Sequence, residues 1–407
     1  MKSRYIILIL AAILLLQTNI YAQDTTWVKN NTWYFDNFQD PELPWSLFRE
    51  TFIGVAPERS GDFDQLFYDY LYKTELAKKG HCFGISTMAM LLKKNGGYLG
   101  YCYPPYIYSG ENINSGDQVG PTDSTLKTAI AIVHGNQINH GFLSFLLDVI
   151  AIGKNMDGRY AYDQVDYYLA KDDPPVISIT KSLSPAAGGH VLVPYGLTDS
   201  GGIKKIWVYD CNHSFYNPES NGHGYYADNK NYIEISSTGT WKYNMGLYNT
   251  TASPVYWPEH PDSGNCIVIP LSVAGKKDRL PQSLFAEGAY AINTIFILGE
   301  VKVEQFTNPY TRHHYFSDDG IHIEKDPEKR LDNLMPFISM GNSTSSVDTE
   351  RKTIYFFRGT DPLELQFRAW GDYRIAIIFH GKYFEVKGKG NGEIQIFSPL
   401  TYYVFKI

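Results

Sequence analysis

Residues 80–85 of the chain read GHCFGI, and this stretch decides how the first half of the sequence folds. Apolar residues recur at helical spacing after this stretch, so we expect a helix to begin near Cys82 and to end at residues 95–97, NGG. The positive end of a helix favours a thiolate over a thiol. Taken alone, Cys82 has a plainer interpretation as a buried, inert cysteine at a helix start.

Two later segments supply partners for this thiol. His190 begins an apolar strand-like run in residues 188–196, GGHVLVPYG, and Asp210 ends the next run in residues 206–210, IWVYD. A cysteine, then a histidine, then an aspartate is the order of a nucleophile, its general base and the group that orients the base. Asn212 faces the same way if the strand continues, so it is the alternative orienting residue.

These segments resemble those of the papain-like cysteine peptidases. Residues 80–85 are similar to the family's nucleophile segment, and residues 188–196 are similar to its histidine strand. Residues 206–210 are similar to the strand that ends in the family's asparagine or aspartate. Residues 175–179, which read PVISI, are similar to the strand before the histidine. The resemblance covers roughly residues 60–240. The separations of 108 residues from Cys82 to His190 and 20 residues from His190 to Asp210 also fit the family.

The resemblance implies an α+β fold of two lobes, in which a helical lobe led by the cysteine helix meets an antiparallel β lobe. It implies a peptidase with Cys82 as nucleophile, His190 as general base and acid, and Asp210 as orienting residue. Such an enzyme hydrolyses a peptide or protein substrate through a thioester acyl-enzyme and needs no cofactor and no metal. The histidines and acids of residues 313–324 match no zinc-ligand spacing, so we predict no metal there.

One position departs from the family pattern. The family typically has a glutamine six residues before the cysteine, where it donates a hydrogen bond to the oxyanion, but this chain has Leu76. The backbone N–H of Cys82 supplies one donor. Gln65 or Gln137 supplies a second oxyanion donor only if the fold brings it back to the site. His134, near Gln137 in the sequence, either lines the cleft or belongs to a helix end. Loss of one such donor costs about 10²–10³ in rate.

The chain divides into three parts. A basic start, an apolar run over residues 5–16 and a small residue at position 22 predict a secretory signal peptide at residues 1–22. Helical periodicity followed by short strands predicts an α+β domain over residues 23–285, in which residues 23–59 are a possible pro-segment. Short strands separated by turn residues predict an all-β sandwich over residues 286–407. The protein is therefore expected to be exported, either secreted or held in the periplasm or at the cell surface, without an integral membrane span.

Composition excludes some partners and leaves other properties open. Removing residues 1–22 shifts the net charge from −7 to −9, because it deletes Lys2 and Arg4 and no acidic residue. This mildly acidic balance argues against a dedicated nucleic-acid binder, which needs a basic face. Four cysteines are too few for a disulfide scaffold, and the sequence assigns neither their pairing nor the oligomeric state.

Three other functions remain open. A cell-wall amidase on the same fold usually has an aspartate just before the cysteine, where this chain has His81. A transglutaminase-like acyltransferase usually has a tryptophan just after it, where this chain has Phe83. A secreted binding or adhesion protein with a degenerate papain-like domain is favoured by the missing glutamine.

Overall fold

The computed structural model describes most of the chain between residues 25 and 406. The described residues are 25–59, 62–76, 80–109, 120–181, 189–215, 231–245, 255–258, 260–261, 263–282, 284, 292–299, 301–307, 314–316, 352–358, 363–379, 382–396 and 403–406. The predicted signal peptide at residues 1–22 lies outside these ranges. Among the described helices, none has the length and apolar character needed to cross a membrane.

Helices come first along the chain. The α-helices of the described part are α1 Thr25–Asn31, α2 Trp45–Thr51, α3 Asp62–Phe67, α4 Cys82–Asn95, α5 Ser124–Gly135, α6 His140–Ala151, α7 Gly158–Ala170 and α8 Leu271–Ala274. A π-helix, Tyr68–Leu76, continues α3, and 3₁₀ turns cover Pro105–Tyr108 and Asn136–Ile138. The fold is thus mixed α and β, with most of its helices before its main sheet.

Helix α4 begins at Cys82 and ends at Asn95, as the sequence predicts. Gly96 follows with φ 72°, a left-handed conformation that glycine adopts at helix ends without strain. The helix is buried from its first residue to Leu92, because α5 packs on one side of it and strand β4, Gly189–Ser200, on the other. Cys82 therefore lies at a junction between helices and sheet.

Strands after α7 build one antiparallel sheet. With the short ribbon β1 Gly97–Tyr98 and β2 Tyr101–Cys102, the strands of this part are β3 Val176–Thr180, β4 Gly189–Ser200, β5 Ile203–Asp210, β6 Tyr232–Ile235, β7 Trp241–Asn244, β8 Tyr256–Trp257 and β9 Cys266–Ile269. The last seven form a curled sheet in the order β8-β7-β6-β5-β4-β3-β9. All residues of β3 and β9 are buried, and helix α7 packs against β9, so this edge of the sheet is covered.

The pairing of β4 with β5 sets the position of the predicted histidine and aspartate. Leu192 lies directly opposite Asp210. His190 is two residues before Leu192, so its side chain leaves the same face of the sheet and is a diagonal neighbour of Asp210. Strand β5 ends at Asp210, where the chain turns and the N–H of His213 donates to the Asp210 carbonyl oxygen at 3.0 Å.

Two further antiparallel sheets lie in residues 292–406. Their strands are β10 Ile292–Leu298, β11 Val301–Thr307, β12 His314–Phe316, β13 Lys352–Arg358, β14 Leu363–Ala369, β15 Asp372–Phe379, β16 Lys382–Lys389, β17 Gly392–Ile396 and β18 Tyr403–Lys406. One sheet has the order β13-β10-β15-β16 and the other β12-β11-β14-β17-β18. The predicted short strands are present. Their arrangement as a sandwich and the boundary at residue 286 stay predictions.

The residues proposed as a possible pro-segment belong to the core. Val28, Trp33, Phe35 and Phe48 are fully buried in the same cluster as the apolar residues of α4 and β4. The indole N–H of Trp33 donates to the carbonyl oxygen of Ile85, within α4, at 2.9 Å. Residues 25–59 therefore support the helix that carries Cys82.

The close contact between α4 and α5 depends on Gly84. A Cβ at this position would collide with the backbone carbonyl oxygen of Ile130 and with His134. The missing side chain of Gly84 therefore lets the two helices approach each other.

We predict that Gly84→Ala lowers the free energy of unfolding by about 1–3 kcal/mol, the usual cost of overpacking a core. Alanine gains about 1 kcal/mol in helix propensity, but the backbone atom of Ile130 cannot move aside cheaply. Urea unfolding followed by circular dichroism measures the change. The control is Gly371→Ala, where nothing lies within 4 Å of the added Cβ, and the loss should be confined to Gly84→Ala.

Candidate active site

Cys82 is the first residue of α4 and is 4% exposed. The first N–H groups of a helix have no partner within the helix and carry a partial positive charge. All four cysteines, Cys82, Cys102, Cys211 and Cys266, are free thiols. Among them, Cys82 alone starts a helix.

His190 joins the thiol to the carboxylate. Its ring is almost fully buried on β4, and its Nε2 lies 2.7 Å from Oδ1 of Asp210. Cys82 interacts with this ring as well and contributes to its charge. Because Nε2 is bonded to Asp210, Nδ1 is the nitrogen that remains for a contact with the sulfur. The three residues that the sequence singled out therefore lie together at one buried site.

Asp210 is fully buried and its carboxylate accepts three hydrogen bonds. Oδ1 accepts from His190 and from the backbone N–H of Asn212 at 2.8 Å, and Oδ2 accepts from the Tyr243 hydroxyl at 2.7 Å. Burial alone would raise the pKa of the Asp210 carboxyl. The charge and hydrogen bond of His190, the charge of His213 and the Tyr243 hydroxyl outweigh it, so that pKa lies well below its ordinary value.

The charge on His190 is set by the same neighbours. Burial opposes the imidazolium, but the negative charge and hydrogen bond of Asp210 and the contact with Cys82 raise the pKa of His190 from 6.5 to about 10. The ring is therefore positively charged at neutral pH.

Asn212, the alternative orienting residue, does not bond to His190. Because β5 stops at Asp210, Asn212 lies in the turn and accepts a hydrogen bond at Oδ1 from Nδ2 of Asn37 at 3.1 Å. Sequence reasoning missed Tyr243, which lies in β7, two strands from β5. Its sequence context, an ordinary strand residue far along the chain, gave no signal of this role.

The two glutamines considered from the sequence as second oxyanion donors are bonded to other groups in the structure. Leu76 is buried, so the position that usually holds a glutamine contributes only to the core. Gln65 donates through Nε2 to the carbonyl oxygen of Arg59. Gln137 is buried, with its Nε2 2.8 Å from the carbonyl oxygen of His134 and 3.0 Å from its Nε2. Both glutamines named from the sequence are therefore bonded elsewhere.

Two buried histidines, His81 and His134, pack beside the first turn of α4. The ring of His81 stacks on Phe38 with a centroid distance of 4.5 Å and lies 4.8 Å from the ring of His134. The N–H of Gly84 donates to Nδ1 of His134 at 3.3 Å, which requires an unprotonated nitrogen. Burial first, and then the neighbouring His81, hold the pKa of His134 well below its ordinary value. His134 is a buried support of the helix and does not line a cleft.

The side chains around Asp210 also contain the strongest candidate metal ligands of the described residues. Ligand atoms of His190, Asp210 and Cys211 all lie within 4.8 Å of one another. The distance of 2.7 Å between His190 Nε2 and Asp210 Oδ1 is that of a hydrogen bond, whereas two ligand atoms of a tetrahedral zinc ion lie about 3.3 Å apart. Burial, then the nearby acidic groups, raise the pKa of the Cys211 thiol well above its ordinary value, so it stays protonated. These residues fit a hydrogen-bonded chain better than a metal site. Most of residues 313–324 lies outside the described ranges.

Comparison with known proteins identifies no relative. No protein-family model matches the chain, and searches of curated proteins and of solved structures found no match either.

The buried pair of Asp210 and His190 predicts a specific pH dependence of stability. Asp210 has a lowered pKa, so its contribution is present above its ordinary value of 3.8 and is lost as the pH falls through the folded value. His190 has a raised pKa, so its contribution is complete below 6.5 and disappears as the pH rises through about 10. The stabilisation is therefore greatest between these ordinary values.

We predict that Asp210→Asn lowers the free energy of unfolding by about 3–5 kcal/mol near pH 5–6, because it breaks a buried pair. The difference from the native protein should shrink steadily towards pH 10. The matched control is Asp199→Asn at an exposed ion pair with Lys204, which should cost about 0–1 kcal/mol. Urea titrations at several pH values measure both, and equal, pH-independent losses would contradict the charge assignment.

Proposed function

We propose that this protein is a cysteine-type hydrolase of the papain-like kind, which cleaves peptide bonds. The observation that supports this most directly is the buried, hydrogen-bonded pair of His190 and Asp210, which interacts with Cys82 at the start of α4. In this arrangement Asp210 fixes the tautomer and orientation of the ring. The motifs around the three residues point the same way.

The proposed reaction begins from the thiolate of Cys82 and the imidazolium of His190. The sulfur attacks the amide carbonyl carbon, and the electron pair of the C=O bond moves onto oxygen to form a tetrahedral oxyanion. His190 then gives its proton to the leaving nitrogen as the C–N bond breaks, which leaves a thioester on Cys82. A water molecule, deprotonated by His190, attacks the thioester carbonyl, and cleavage of the C–S bond releases the acid and restores the thiolate of Cys82 beside the imidazolium of His190.

The proposal includes the two-lobed architecture. Helix α4 packs against α5 on one side and β4 on the other, and the Ser86 hydroxyl donates to the Val191 carbonyl oxygen at 3.5 Å across this junction. A helical lobe that carries the nucleophile and a β lobe that carries its base account for this packing. Residues 286–407 would add a β-sandwich, and residues 1–22 would direct export of the protein to the periplasm, the cell surface or the medium.

Reactivity of Cys82 tests the proposal without knowledge of the substrate. At pH 6 an ordinary thiol is about 0.3% thiolate, so iodoacetamide alkylates it slowly. We predict that Cys82 in the native protein is alkylated at least about tenfold faster than the exposed Cys102, even though Cys82 is more buried. Mass spectrometry resolves the four cysteines, and His190→Ala should remove the preference. Slower labelling of Cys82 than of Cys102 would favour the secreted binding or adhesion protein instead.

Peptide hydrolysis tests the activity itself. Incubation with a random peptide library, followed by sequencing of the products, should show cleavage by the native protein and a loss of about 10⁴-fold or more in Cys82→Ala and in His190→Ala. Cys102→Ala, which changes an exposed thiol, should leave the rate unchanged. Equal cleavage by Cys82→Ala and the native protein would reject the proposed role of this thiol. Cell-wall peptides are assayed in parallel, and cleavage of these without cleavage of the random library would favour the amidase.

A further inference from the structure

Asn37 lies between the two halves of the candidate site. Its Oδ1 accepts from the backbone N–H of His81 at 2.8 Å, a donor shared with the Phe38 carbonyl oxygen at 3.0 Å. Its Nδ2 donates to Oδ1 of Asn212 at 3.1 Å, and its backbone N–H donates to the carbonyl oxygen of Cys211 at 2.8 Å. One residue therefore connects the position before Cys82 with the two positions after Asp210.

The chemistry of these partners fixes the direction of the Asn37 amide. The N–H of His81 requires an acceptor, so the oxygen must face α4 and the nitrogen must be the other atom. That nitrogen carries two hydrogens, of which Asn212 takes one. The side chain is only half-buried, unlike the fully enclosed glutamine at position 137.

Gly80 lets this nitrogen approach the backbone just before the nucleophile. An ideal Cβ at Gly80 would lie 2.6 Å from Nδ2 of Asn37, and the glycine has φ +94°. Both the close approach and the left-handed backbone exclude other residues. The amide nitrogen thus packs against the backbone two residues before Cys82. The space beside Gly80 is therefore occupied by the Asn37 amide.

A thiolate that attacks a carbonyl needs hydrogen-bond donors for the oxygen that becomes negative. The N–H of Cys82 lies in the first turn of α4, where the helix itself offers no acceptor. Two later N–H groups of this turn are bonded, since Gly84 donates to His134 and Ile85 donates to the carbonyl oxygen of His81. A side chain from outside the helix can supply the second donor.

We propose that Asn37 is a catalytic residue whose second Nδ2 hydrogen binds the oxyanion together with the N–H of Cys82. This assignment rests on the proposed hydrolase function. It gives Asn37 the role that the family gives to a glutamine six residues before the cysteine, where Leu76 is buried here. The residue comes from a segment 45 positions before the nucleophile, and the other bonds of Asn37 hold its amide in place.

The test compares two reactions of the same sulfur. Acylation by p-nitrophenyl acetate forms an S–C bond at a carbonyl, passes through an oxyanion and releases p-nitrophenolate as a burst. Alkylation by iodoacetamide forms an S–C bond at a saturated carbon and releases iodide, without an oxyanion. The ratio of the two rates therefore cancels any change in the thiolate population and reports oxyanion stabilisation alone.

We predict that Asn37→Ala lowers this ratio about 10²–10³-fold, the range found when one oxyanion donor is removed. Asn37→Asp should lower it similarly, because it keeps the acceptor for the His81 N–H and removes the donor. Asn139→Ala is the matched control. Its amide has the same pattern of bonds, accepting from the N–H of Phe142 and donating to the carbonyl oxygen of Lys276, but at the start of α6. The ratio should stay at the native value in this variant.

Two outcomes would overturn the assignment, and they are distinguishable. A native burst with a ratio that stays within about threefold in both Asn37 variants rejects Asn37 as a donor and leaves the hydrolase proposal intact. A native protein whose Cys82 shows neither a burst nor fast alkylation rejects the hydrolase function, and the role of Asn37 with it. If Asn37→Ala lowers the ratio of acylation to alkylation but Asn37→Asp keeps the native ratio, Asn37 has a structural role only, and the donor role is also rejected.

Discussion

The hydrogen bond between His190 and Asp210 is the interaction on which the rest of the site depends. It is buried, it is 2.7 Å long, and its two partners lie on neighbouring strands whose register pairs Leu192 with Asp210. A slip of one residue in this register would turn one of the two side chains to the other face of the sheet. The geometry of the sheet therefore determines whether the imidazole has a carboxylate at all, and with it the charge beside Cys82.

The helix and the sheet have to meet at one point for the third residue to join. Gly84 lets α4 approach α5 closely, and the apolar residues from Cys82 to Leu92 bury the rest of the helix between α5 and β4. Apolar burial supplies most of the energy for this packing, while the polar groups at the helix start determine its exact position. Trp33, Phe38 and Asn37 all contribute to that position from the N-terminal segment, so this segment belongs to the site as well as to the core.

Some of the fold and of the site was predictable because it depends on local patterns. Helix α4, with its start at Cys82 and its glycine stop, follows from residue spacing and from the conformations that glycine permits. The short strands that carry His190 and Asp210 follow from apolar runs bounded by turn residues. The sequence left Asp210 and Asn212 as alternatives, because the end of β5 determines which of them faces His190, and strand ends are set by pairing with neighbours.

The sequence by itself determined the candidate triad and the order of its members, because residue types, spacing and local periodicity are properties of the chain alone. Only the tertiary structure decided what surrounds them. Tyr243 reaches Asp210 from two strands away, Gln65 and Gln137 are bonded elsewhere, and Asn37 binds the backbone N–H of His81, just before the nucleophile, from 44 residues upstream. These contacts join residues that are distant in sequence, and no local signal encodes them, since they arise when burial of the apolar core brings the segments together.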